Sequence, residues 1–210
     1  MSPEAYKPRR PAMLEPEQAE QIPGDEDPAI TTSAALTSAR ALLGFGDDEF
    51  TEDQVHQLGQ VITTEGVDTV SALWSRSSAL SLPGQLWRLY LLSEWTRRAS
   101  DVVRDRYDEG VAAIRASERG ANLELPDLDR TIASVRKLMS GNGIEDLPAL
   151  LADSGRLLRV LAAGASYGPN WIESDSSELA DSVTRRAGAL LRTSDELLEG
   201  AKMAARDDYL

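Results

Sequence analysis

The chain has 210 residues with 35 acidic and 22 basic side chains, no cysteine and one histidine. Its length suits one or two domains, and 41% apolar residues supply enough material for a core. The counts exclude disulfide frameworks, thiol catalysis, iron–sulfur clusters and thiolate zinc sites, while a formal charge of −13 opposes phosphate backbones and anionic bilayers.

Residues 1–28 hold Pro3, Pro8, Pro11, Pro16, Pro23 and Pro28 beside acids such as Glu15, Glu17 and Glu20, with few bulky apolar side chains. Such a stretch cannot offset the entropy of ordering, which predicts a disordered acidic, proline-rich tail ahead of a single helical domain over 29–210. No apolar run in it is long enough for a signal sequence or a membrane span, so a cytoplasmic protein with no membrane partner is expected. From Ala29 the pattern turns helical. Leu36, Ala39, Leu42 and Leu43 share one face up to the breakers Gly44 and Gly46, and Thr51 then caps a second helix through Val55, Leu58, Val61 and Ile62 to Gly66. A third short helix covers Val67 to Ser77, with Val70, Leu73 and Trp74 on one face. Ser81-Leu-Pro-Gly84 is the sharpest punctuation in the chain.

Gln85 to about Glu118 reads as one long helix. In its first half Leu86, Trp87, Leu89, Tyr90, Leu91, Leu92 and Trp95 point in nearly every direction, which places it at the centre of the fold. In its second half Ala99, Val102, Val103, Tyr107, Val111 and Ile114 keep one stripe, opposite an ion-paired face that begins at Glu94, Arg97 and Arg98. Three more helices are predicted over Leu128 to Ser140, Glu145 to Ala163 and Ser174 to Ala205, with Asp127 and Ser174 as N-caps. Gly141-Asn-Gly143 and the stretch from Gly164 to Pro169 separate them. Nowhere do β-branched and aromatic residues alternate with polar ones for the length of a strand. The predicted architecture is all-α, an irregular bundle of six or seven helices behind the tail.

Several motifs resemble sites and fail on context. Gly164-Ala-Ser166-Tyr-Gly168 has the spacing of a nucleophile elbow, yet it follows a helix instead of a strand, and His56 lies upstream of it. Asp47, Asp48, Glu49, Glu52, Asp53 and His56 gather hard ligands without the glycine of a calcium loop or a second imidazole, and acids at a helix start are favoured by the macrodipole alone. Residues 51–77 imitate a helix-turn-helix, but the would-be reading helix offers Arg76 against Asp68 and no amide aimed at base edges. No catalytic, cofactor-binding or metal-binding residue is therefore expected. The remaining candidates are Trp74, Trp87, Arg88, Tyr90 and Trp95, read either as core or as a partner-contact cluster. Arg88 lies on the side of Leu92 and Trp95, so its guanidinium must snorkel or meet a carboxylate; Arg106 projects similarly.

The run Ser81-Leu-Pro-Gly-Gln-Leu-Trp-Arg-Leu-Tyr-Leu-Leu-Ser-Glu-Trp95 resembles a stretch of uncharacterised helical proteins from high-GC Gram-positive bacteria, over about residues 70–110. The resemblance implies a bacterial cytosolic protein and brings no activity with it. It agrees with an excess of arginine in which only Lys7, Lys137 and Lys202 are lysines. The leading expectation is a non-enzymatic helical interaction or regulatory protein that engages another protein through an apolar groove or its acidic surface. The alternative is an enzyme using Asp, Glu and Arg side chains from several helices for phosphate-ester or acid–base chemistry, and a DNA-binding regulator stands behind both. A concave pocket with converging charges would favour the enzyme, and an exposed apolar patch the partner.

Overall fold

Apolar side chains repeating at helical spacing need neighbours to cover them, and here the neighbours are other helices. A computed structural model describes residues 28–44, 51–143, 146–167 and 187–209. Over them run eight helices and no strand: α1 (Pro28–Leu43), α2 (Glu52–Thr64), α3 (Val67–Trp74), α4 (Leu82–Arg98), α5 (Ser100–Arg115), α6 (Leu128–Met139), α7 (Leu147–Tyr167) and α8 (Ala187–Ala204). The predicted tail up to Asp27 lies outside the described residues, as do Gly46, Asp47, Asp48, Glu49, Pro169 and the expected cap Ser174.

Helix starts follow local chemistry. Thr51 and Gln54 form a reciprocal capping box, the Gln54 amide donating to Thr51 Oγ1 at 3.3 Å and the Thr51 amide to Gln54 Oε1 at 2.9 Å. Ser81 caps α4, with Pro83 in the first turn, and the Asp127 carboxylate accepts the Arg130 amide at 2.7 Å to open α6. Each cap contributes about 1 kcal/mol.

The centre of the bundle is α4, which touches α1, α3, α5, α6, α7 and α8. That enclosure accounts for its apolar residues pointing all round: Leu82, Leu86, Leu89 and Leu92 are buried together with the α4 tryptophans. Gln85 is buried there too, its Nε2 donating to Ala79 O at 2.7 Å and Glu196 O at 3.0 Å, which ties the start of α4 to α8. Glu94 at the far end accepts from Arg97 and Arg98. The Arg97 hydrogen bond leads in holding its carboxyl below the usual range, against the opposing effect of burial.

Several expectations are corrected. Among the described residues eight helices stand where six or seven were expected, and the helix expected from Gln85 starts at Leu82, so that Ser81-Leu-Pro-Gly84 forms its cap and first turn. The long helix over 85–118 is not continuous: Ala99 leaves helical geometry (φ −134°, ψ 50°), ending α4 and starting α5. The helix expected to stop at Ala163 runs through Gly164 to Tyr167. Where α5 crosses α7, a Cβ on Gly110 would stand 2.0 Å from Val160 O, and one on Gly164 would stand 1.8 Å from Arg106 O. The two backbones touch through these glycines, so Gly164 is a crossing point and not a terminator.

Candidate functional site

The structure brings the five singled-out aromatic and arginine side chains into the interior around α3 and α4. Trp74 is fully buried and its Nε1 donates to Ser38 Oγ at 3.0 Å. Trp87 and Tyr90 stack at 5.9 Å between ring centroids, and the Arg106 guanidinium lies 5.5 Å over the Trp95 ring. Trp87 and Trp95 keep only 9% and 8% of their surface, too little for the exposed aromatic anchor of a docking hot spot. Of the two expectations for Arg88, to snorkel or to meet a carboxylate, the second is found: Nε donates to Glu196 Oε2 at 2.6 Å and Nη1 to Gly84 O at 2.8 Å. The Arg88–Glu196 pair ties α4 to α8.

The weaker motifs also receive places. Ser166 is carried inside α7, with no strand-to-helix turn to present it. Glu52 and His56 are exposed on α2, and among the described residues no three His, Asp or Glu side chains converge as metal ligands. Val70 and Trp74 are the buried side of α3, the helix that would have read DNA.

A concavity that the sequence did not announce lies between α6 and the N-terminal part of α7, closed at one end by residues 123–127 and enclosing about 1090 Å³. Its floor is built from Thr131, Leu150 and Val160, all largely buried, with Leu125 and Pro126 beside them. Leu123 stands on the rim with 54% of its surface exposed. The closing segment is fixed from α5: Tyr107 Oη donates to Pro126 O at 2.8 Å and Arg115 Nη1 to Ala121 O at 3.1 Å. Burial first, then the Asp127 and Asp108 carboxylates, push the Tyr107 phenol above its ordinary value, so it stays protonated as the donor this bond needs. Arg104 grips Asp129 with two hydrogen bonds of 2.7 and 3.1 Å, fixing the start of α6 to α5.

Charged groups of both signs line the walls, and most are already engaged. Asp127 and Asp146 accept the amides of Arg130 (2.7 Å) and Ala149 (2.8 Å) at the starts of α6 and α7. Asp153 pairs with Arg156 at 2.9 Å, and Arg159 pairs with Asp195 at 2.8 Å while its Nε reaches Ser194 Oγ at 3.2 Å. Arg130 and Lys137, exposed on one face of α6, have no ion-pair partner among the described residues. The hydroxyls of Thr131 and Ser134 have no carboxylate or imidazole hydrogen-bonded to them among the described residues, so the nucleophile–base pairing of covalent catalysis is not formed there. A shallower trough of about 750 Å³ flanks the other side of α7, against Leu198 and Lys202 of α8.

The groove depends on how far α6 stands from α7, a distance no local pattern encodes. The available signal was the recurrence of Arg130, Ser134 and Lys137 on a single helical face. Comparison of the chain with protein-family models, with curated proteins and with solved structures returns no match. Among the described residues no helix is long and apolar enough to cross a membrane.

Proposed function

We propose that this is a non-enzymatic helical interaction protein of bacterial, cytoplasmic origin, and that it takes a segment of a partner protein into the groove between α6 and α7. One observation carries the reading: an open trough of about 1090 Å³ with an apolar floor and a charged rim. At 1.5 Å per residue its walls, Asp127 to Lys137 on α6 and Asp146 to Val160 on α7, are about 15 and 21 Å long. That suits a partner helix of three or four turns laid lengthwise, the helix-in-groove mode. Four cations at the walls, Arg130, Lys137, Arg156 and Arg159, are what phosphate-ester chemistry would want. The aspartates beside them are committed to caps and ion pairs, which supports binding over acid–base work.

The test is to select binders for the full chain from a display library of random 15-residue peptides. The measurement is then repeated with Ser134→Arg and Ala149→Arg, two exposed groove positions where added bulk fills the trough. Peptides that bind the parent chain and lose binding to both variants, at unchanged melting temperature, support the reading. Failure to select any peptide, or binding indifferent to both substitutions, overturns it.

A further inference from the structure

Resting on that groove reading, we infer that the occupant is an amphipathic helix presenting two carboxylates two turns apart, one to Arg130 and one to Lys137. The two cations are separated by about 10.5 Å along α6 and by about 20° around it, so they form a short line parallel to the groove. Among the described residues they are the wall cations without a carboxylate: Arg156 and Arg159 have their own, and the positive helix starts of α6 and α7 are met by Asp127 and Asp146. An occupant with acids at i and i+7 closes both charges at once. Its apolar positions at i+3 and i+4 then fall between them, facing Leu123 on the rim and Leu150 on the floor.

The rest of the molecule limits how acidic that helix is. With a net charge of −13, the chain repels any partner of high net negative charge at long range. The acids are therefore confined to this pair, and the exposed Glu124 on the closing segment selects a neutral or basic residue where the helix passes it. Specificity comes from a local pattern set against the global field.

The experiment uses the same selected peptides and the full chain carrying Arg130→Glu and Lys137→Glu. Both positions are exposed and have no ion-pair partner among the described residues, so the fold survives the exchange, which circular dichroism and melting verify. The expected consensus has an acid at i and i+7 with apolar residues between; reversing both charges weakens binding about tenfold or more, and peptides with lysines in place of the acids recover it. A consensus with basic or uncharged residues at those places, still blocked by Ala149→Arg, overturns this inference and leaves the groove reading standing. Binding that Ala149→Arg does not touch overturns both.

Discussion

Replacing Gly164 by alanine tests the architecture at its narrowest point. The new methyl would lie 1.8 Å from Arg106 O. A carbon and a carbonyl oxygen rest at about 3.3 Å, so α5 and α7 would have to part by about 1.5 Å at the crossing. The obstacle is backbone and cannot rotate aside. Parting the helices loosens the packing of Val103, Leu157 and Leu161, all fully buried. Overpacking of this kind costs about 1–3 kcal/mol, and the upper end applies to a backbone clash. Alanine returns about 1 kcal/mol of helix propensity, leaving a net loss of about 2 kcal/mol. Gly188→Ala is the internal control: nothing among the described residues lies within 4 Å of its Cβ, so in α8 only the propensity gain remains, up to about 1 kcal/mol. Urea denaturation followed by circular dichroism reads both. A Gly164→Ala chain as stable as its parent would refute backbone contact between α5 and α7.

Trp87→Ala should lower stability by about 3–5 kcal/mol in the same assay, because the indole is stacked on Tyr90 inside the bundle; a near-neutral result would return Trp87 to the surface. Burial pushes the Tyr209 phenol up to about 12, and its hydroxyl is buried without a hydrogen-bond partner among the described residues. A folded-state value above the unfolded one means stability that is whole below pH 10 and lost as pH rises through 12. Tyr209→Phe should therefore cost nothing at pH 7, gain up to about 1 kcal/mol from the removed hydroxyl, and unfold less steeply above pH 10. Identical alkaline melting curves for the two proteins would contradict this.

Where a feature is written in neighbouring residues, sequence reasoning located it. Thr51 and Asp127 sit where side-chain oxygens must meet free helix amides, and the apolar girdle from Leu86 to Trp95 marks the helix with neighbours on all sides; Ser81, read only as punctuation, proves to be the cap of α4. Arg88 was expected to snorkel or to meet a carboxylate, though nothing local named Glu196, which lies 108 positions away in sequence. The turn at Ala99 has no proline or glycine to announce it. Gly164 was misread because a glycine after a helical run satisfies the rule for a stop as well as that for a close crossing. Gly110 falls one turn and two turns beyond Tyr107 and Val103 on the same stripe, a hint that the stripe packs at backbone distance. The groove was illegible for a different reason: it is a gap, and gaps follow from the placement of whole helices.

The glycine crossing also bears on the groove reading proposed above. At that point the backbones of α5 and α7 meet with no side chain between them, and the strut from Tyr107 to Pro126 ties the closing segment to the same α5. One wall and the closed end of the trough are thus both joined to α5, so on that reading a guest would meet a shape partly set in advance, which spares some of the entropy of moulding a receptor around its ligand.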